Sequence, residues 1–482
     1  MLKLLVTGGC SGFSSPELLL QLLQHFSHCP NQIKQIHSLL ITHGFFLNHT
    51  SSWKTVLIYN TLIRSYLSMG LSRTSLLLFT HMIAHGLSPN HLTFPSLIKA
   101  ASCSPSSGPI VHAQALKWGV LRDPFVQTSF VRLYSEVSNI RSARKMFVEI
   151  PHPCIVACNA LLDAFGRNGD MGSAFLYFES MPQKDVVSWT SVINGFVMNG
   201  RFVDALRLFA KMMVHEDVVS GSVKPNEATF VTVLSSCANL DGTGLYQGKQ
   251  IHGYFIKNEF SLSAVMGTAL VDLYGKAGCL ETAIRVFNRI EVKEVFTWNA
   301  MISSLACHGR AKQALCMFEK MKAQGFSPNE VTFVAILTAC ARAKLVDLGL
   351  KLFRSMSRRY GVVPIMEHYG CVVDLMGRAG LLRDAVEFVI SMPFLPDASV
   401  LGALFGACKI HGDVQLGNEV GKKLLELQPK HCGRYVVLSN INAVGERWGD
   451  AADWRKVMAE SKIRKIPACS LIGSIKVDSL SG

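Results

Sequence analysis

Three groups of residues in this chain are of types that do chemistry elsewhere. Cys154 and Cys158 (CIVAC) could pair on a metal, but three residues separate them where a zinc knuckle uses two. Both also lie in a stretch whose apolar face accounts for them. Gly244, Gly248, Lys249 and Gln250 stand in the order of a phosphate loop. Their spacing is wrong, and Gln250 stands where a Ser or Thr would hold magnesium, so a structural turn explains them better. His37, His112 and His252 recur in like contexts, as Gln35-Ile-His37, Val111-His112 and Gln250-Ile-His252. Such recurrence marks a packing position rather than a ligand set. No H-E-x-x-H or G-x-S-x-G pattern occurs. The sequence thus offers no catalytic residue, no metal site, no cofactor and no small-molecule substrate, and a non-catalytic binding protein is expected.

The elements that carry these residues follow from composition and repetition. The chain has 482 residues, 49% hydrophobic and 17% charged, without charge blocks or low-complexity runs. That is core-forming and argues against disorder. Forty-eight Lys and Arg against 34 Asp and Glu give a net charge of +14, which suits a polyanionic partner. Cys237, Cys279, Cys340, Cys371 and Cys408 fall inside apolar helical patterns and read as reduced, buried thiols in a reducing compartment. No stretch qualifies as a membrane span: Thr74 to Ile98, free of Asp, Glu, Lys and Arg, is broken by histidines and prolines. Residues 1–19, with no acidic residue before Glu17 and rich in Ser and Gly, fit a short organellar transit peptide.

Self-comparison supplies the architecture. Tyr59-Asn60-Thr-Leu-Ile recurs as Cys158-Asn159-Ala-Leu-Leu, Trp189-Thr190-Ser-Val-Ile and Trp298-Asn299-Ala-Met-Ile. Each copy meets a glycine about ten residues on: Gly70, Gly169, Gly200 and Gly309. An amphipathic stretch follows, such as Ala314-Leu-Cys-Met-Phe318-Glu-Lys-Met321, and Pro-Asn closes the copy at 89–90, 225–226 and 328–329. The unit is therefore helix, glycine turn, helix and proline stop. Two further block types, Thr229-Phe-Val…Cys237 with Thr332-Phe-Val…Cys340, and Gly267…Gly278 with Tyr369…Gly380, alternate with the first. Trp189 and Trp298 consequently stand 109 residues apart, a triplet period. Units this short cannot bury their own apolar faces, so they must stack on their neighbours.

These residues resemble the pentatricopeptide-repeat family of plants, in its subclass of alternating long, short and standard units with C-terminal E-type motifs. The resemblance spans about residues 20–470. It implies an all-α, right-handed superhelical solenoid of helix-turn-helix repeats. A partial repeat at 20–55 precedes an array at 56–397, with an insertion near Glu216 to Ser222. An E-type helical extension covers 398–465, carried by Leu404-Phe-Gly-Ala-Cys408 and Tyr435-Val-Val-Leu-Ser-Asn440, and 466–482 is a short tail. Ala468 and Leu471 stand where the family usually has Gly and Trp, and Leu401 replaces another usual Trp. Some relatives continue into a zinc deaminase domain, which needs H-x-E and C-x-x-C ligand motifs. None of the sixteen histidines is followed at the second position by Glu, so that domain is expected to be missing.

The resemblance also implies how RNA is read: one base per unit, by the unit's fifth and last residues. The pairs are Asn60/Asn90 for C, Asn159/Asp185 for U, Thr190/Asn226 for A and Asn299/Asn329 for C. Thr128 and Thr268, paired irregularly with Cys154 and Glu294, lean towards purines. Pro95, Val231 and Val334 have no side-chain hydrogen bond to offer, and Gly370/Asp397 is uninformative. The implied target, 5′ to 3′, is C-N-R-U-A-N-R-C-N-N. A competing reading makes Asn90, Asn226 and Asn329 ordinary helix N-caps. The leading functional expectation is a specificity factor for C-to-U editing of organellar single-stranded RNA, in the mitochondrion or alternatively the chloroplast. It would recruit a deaminase-bearing or editing-complex protein through residues 398–465. An RNA stabilisation, splicing or translation factor is the alternative, and a protein-binding helical scaffold the alternative from another class.

Overall fold

The computed structural model describes residues 16–26, 29–42, 53–104, 106–214, 216–217, 221–240, 243–258 and 262–465. The expected transit-peptide residues 1–15 and the tail lie outside them, and a helix already runs over Pro16–His25. The described residues are helical hairpins joined by turns, plus one two-residue antiparallel ladder, Glu216–Asp217 with Gly221–Ser222, formed by the insertion. The chain divides into two compact units, Met1–Thr232 and Val233–Gly482, and the division falls within helix Glu227–Ala238.

One hairpin shows why the sequence folds this way. Helix Val295–Cys307 buries Trp298, Met301, Ile302 and Leu305, the one-face spacing of an amphipathic helix. Gly309 then takes φ 71°, and the Arg310 N–H donates to the Leu305 carbonyl at 2.9 Å, a Schellman closure that needs a left-handed residue. Helix Ala311–Ala323 returns with Ala311, Ala314, Phe318 and Met321 inward. Gly70, Gly169 and Gly200 close their hairpins in the same way, at φ 75°, 76° and 70°. Trp189 and Trp298, each 1% exposed, meet Phe178 and Phe287 of the preceding second helix edge-on, with centroids 4.8 and 5.0 Å apart.

Within each unit the first helix of a hairpin packs on its own second helix and on the first helix of the next hairpin. The residue at the crossing must be small. A Cβ on Gly275 would stand 2.0 Å from Ser304 Oγ, and one on Gly377 would stand 2.6 Å from Ala407 Cβ. The carbonyls of these glycines, in the last turn where i→i+4 partners run out, accept the N–H groups of Gly278 and Gly380 at 3.1 Å and are also met from the following first helix: His308 Nε2 lies 2.6 Å from the Gly275 oxygen and His411 Nε2 2.8 Å from that of Gly377. In the first unit Asn199 Nδ2 donates to the Gly166 oxygen at 2.8 Å.

The recurrent histidines are packing residues. His37, His112 and His252 each hydrogen-bond through Nδ1 to a tyrosine hydroxyl, that of Tyr66, Tyr134 and Tyr274 respectively. Gly244 and Gly248 lie in helix Gly244–Lys257 rather than in a turn, and a Cβ on Gly248 would strike Leu273 at 2.3 Å. Cys279 and Cys371 differ from expectation too: both are only half-buried, and Cys279 is the N-cap of helix Leu280–Arg289. Residues 398–465 form two hairpins, Ala398–His411 with Val414–Leu427 and Cys432–Val444 with Trp448–Glu460. Asn418 and Asn442 exchange amide hydrogen bonds of 2.9 and 2.8 Å across them.

Candidate nucleic-acid interface

The proposed reading residues occupy one repeating place in the fold. Where a helix cap is defined, at Asp123, Cys154, Asp185, Ser263, Glu294, Asn329, Ile365 and Asp397, the fifth residue beyond it is Thr128, Asn159, Thr190, Thr268, Asn299, Val334, Gly370 and Gly402. These positions face the start of the next first helix. Asn299 Nδ2 donates to Asn329 Oδ1 at 3.0 Å, and Thr332 Oγ donates to Asn299 Oδ1 at 2.6 Å. Asn159 Nδ2 donates to Asp185 Oδ1 at 3.1 Å, with Ser188 Oγ on Asn159 Oδ1 at 2.7 Å. Asn60 Nδ2 reaches Asn90 Oδ1 at 3.3 Å, while its own Oδ1 is buried without a partner.

The threonine positions are wired differently. Thr190 meets the hydroxyl of Thr229 at 2.7 Å, and Thr229 in turn donates to Asn226 Oδ1 at 2.9 Å. The Thr268 hydroxyl meets that of Thr297 at 2.9 Å, where pairing with Glu294 was expected. All three threonines donate back onto their own helices, to the carbonyls of Pro124, Val186 and Ala264 at 2.7, 2.7 and 2.6 Å, and Thr128 does so instead of turning towards Cys154. Capping and pairing prove compatible at the last residues. The Oδ1 of Asn329 accepts from the Thr332 N–H at 3.1 Å and that of Asp185 from the Ser188 N–H at 2.7 Å, while each also accepts the amide of its partner. Asn90 and Asn226 likewise accept from the N–H groups of Thr93 and Thr229.

Sequence reasoning missed two companions of these pairs. One is the Ser or Thr three residues past the cap, which locks the reading amide. The other is an apolar residue two past the cap, left exposed where an amphipathic helix would bury it: Leu92, Phe125, Val156, Val187, Val265, Phe296 and Val331 are between 44% and 75% exposed. In each case the signal was present, an apolar side chain three residues before the reading position. Three of them, Leu92, Phe125 and Val156, line concave sites between successive first helices. One cavity of about 300 Å³ is lined by Leu92, Phe125, Thr128 and Val156 with Arg64 and Arg132 at its rim. Another of about 310 Å³ is lined by Leu57, Asn60, Arg64 and Leu92.

Cations stand farther along the same helices. Arg167, Lys276 and Arg378 each pair with an aspartate one turn earlier, Asp163, Asp272 and Asp374, at 2.7, 2.9 and 2.7 Å. These half-exposed pairs are weak in water, so a phosphate can compete for the cation. Burial pushes the thiols of Cys237 and Cys408 up to about 12 and that of Cys340 to about 11, so all three stay protonated. Among the described residues no three His, Cys, Asp or Glu converge to hold a metal ion, and no helix is long and apolar enough to cross a membrane.

Known proteins resemble this chain along most of its length. The models of the PPR repeat match residues 57–87, 156–186, 268–295 and 331–360, those of the PPR repeat family match 184–239 and 293–342, and the E motif matches 411–473. A pentatricopeptide repeat-containing protein of Arabidopsis thaliana is 58% identical over 96% of this chain and 99% of its own length. A second from that plant is 33% identical over 94% and 91%. The crystal structure of the pentatricopeptide repeat protein PPR10 from maize covers 96% of this chain and 71% of its own, at 18% identity and a TM-score of 0.45. The chain belongs to the pentatricopeptide-repeat family.

Proposed function

We propose that this chain binds one short single-stranded RNA sequence, one base per unit, and acts as a specificity factor for C-to-U editing in a plant mitochondrion. The observation that carries the reading is the ladder of polar pairs, among them Asn159/Asp185 and Asn299/Asn329, whose reading amides each follow an exposed apolar side chain, Val156 and Phe296, by three residues. A base sliding between two such apolar residues presents its Watson–Crick edge to the pair. The two pair types differ in what they offer. Asn299/Asn329 keeps amide N–H groups to spare, which suit the acceptors N3 and O2 of cytosine. Asn159/Asp185 adds a carboxylate whose Oδ2 carries none of these bonds, an acceptor for the imino N–H of uracil. The basic surplus and the weakly paired Arg167, Lys276 and Arg378 supply the field for the phosphates.

The matched repeats and E motif are not catalytic domains, so the deaminase would come from a partner docked on residues 398–465. The E-motif match favours editing over RNA stabilisation, splicing or translation. In the family register the unit 366–397 faces the fourth nucleotide upstream of the edited cytidine. Sequencing of organellar transcripts from plants lacking this chain tests the reading. Loss of C-to-U conversion at a mitochondrial site preceded by C-N-R-U-A-N-R-C in that register supports it. Intact editing everywhere, with a changed transcript abundance or splicing pattern, would replace it with the alternative role.

A further inference from the structure

The two positions that face each other along the array continue into the C-terminal extension with different residues. In the second unit the fifth residue past one cap meets the third residue past the next: Thr268 with Thr297 at 2.9 Å, and Asn299 with Thr332 at 2.6 Å. Past Asp397 and His431 the same two positions are Gly402 and Arg434. Size has been exchanged across the contact. A Cβ placed on Gly402 would stand 3.2 Å from both Nη1 and Nη2 of Arg434. The guanidinium therefore lies where a reading side chain lies in the units before it.

This guanidinium is poorly satisfied by the protein. Its Nε is buried with no hydrogen-bond partner, and Nη2 reaches only Gln428 Oε1 at the 3.5 Å limit. Burial alone holds its pKa below the usual value, with no carboxylate acting on it. A half-buried cation without an acceptor is costly, and the planar fork of arginine is built for two acceptor atoms at once.

We propose that Arg434 is the nucleotide-binding residue of the C-terminal extension, its guanidinium taking a pair of acceptor atoms from the RNA nucleotide just 3′ of the one that faces residues 366–397. This rests on the RNA-binding reading above. Two sources carry such acceptors, the phosphate oxygens and the O6/N7 edge of guanine, and they are separable by experiment.

The test is fluorescence anisotropy with the full chain and two sets of RNA. One set ends at the nucleotide facing 366–397, and the other is extended at its 3′ end by G, A or U. The wild type is expected to bind extended RNA about tenfold tighter, whereas Arg434→Gln binds both sets as the wild type binds the short one. A gain that is equal for all bases, shrinks with salt and survives Arg434→Lys assigns the phosphate. A gain confined to G and lost in Arg434→Lys assigns the guanine edge. Gly402→Ala, whose methyl group crowds the guanidinium at 3.2 Å without removing it, should also reduce the gain and provides a second variant should Arg434→Gln not fold. An extension gain that is unchanged in the variants overturns the inference while leaving the RNA-binding reading intact. A wild-type chain that binds no RNA overturns both.

Discussion

Changing Asp185 to Asn exchanges one acceptor for one donor at a reading pair and leaves nearly everything else in place. Asp185 Oδ1 accepts from the Ser188 N–H at 2.7 Å and from Asn159 Nδ2 at 3.1 Å. An asparagine Oδ1 can keep both bonds, and Asn is as good a helix N-cap as Asp, so stability should move by only a few tenths of a kcal/mol. The atom that changes is the other one, Oδ2, which becomes an amide nitrogen. Facing uracil, that amide meets the imino N–H with a second donor, and an enclosed unpaired donor costs about 1–3 kcal/mol. Facing cytosine, it meets an acceptor and gains a comparable amount. At 1.4 kcal/mol per tenfold, D185N should lose roughly 5- to 150-fold for RNA with U at the fourth position of C-N-R-U-A and gain for C there. Titrations of wild type and variant against the two RNAs at one salt concentration measure this as a ratio of ratios. Equal loss on both RNAs would show that Asp185 is only a cap, and an unmoved U-to-C preference would refute the donor–acceptor reasoning.

Three further outcomes are expected. Arg64→Gln and Arg132→Gln, at the rims of the concave sites, should weaken binding to all RNAs alike and lower the slope of log K against log salt by about 0.7 each. Trp298→Ala, which empties a fully buried site, should cost about 3–5 kcal/mol in urea unfolding, with the hairpin 295–323 gaining hydrogen exchange first. Acid should destabilise the fold through His37, His112 and His252, whose pKa values burial holds below 6.5. The unfolded chain then takes up protons first, so Tm is flat above pH 6.5, falls below it down to the folded pKa values, and falls less in His112→Gln.

The hairpins were legible because their signals are local. A glycine that must adopt positive φ, a proline after the second helix and an apolar face at helical spacing each act within one unit, as at Gly309, Pro328 and Trp298. What lay beyond the sequence depends on the neighbouring unit. That Asn299 meets Asn329 and Thr332, that Thr190 is joined to Asn226 only through Thr229, and that Thr128 turns back to Pro124 are decided by how successive first helices cross. The exposed row of Phe125, Val187 and Phe296 went unseen for a related reason. Apolar residues in the first turn of a helix read as core until the facing helix is known to leave them open. Likewise Gly248, which looked like a turn, is there because Leu273 packs against its Cα.

The most direct test is a gel-shift titration of the full chain against a short RNA containing C-N-R-U-A-N-R-C, with a control in which only the U-A core is exchanged. Salt is set high enough to suppress phosphate-only binding. Two mismatched bases should cost about 1–3 kcal/mol each, so the account predicts at least a tenfold loss of affinity on the exchange. Equal affinity for both RNAs would contradict base reading by the paired positions, and no binding to either would make the array a scaffold for proteins.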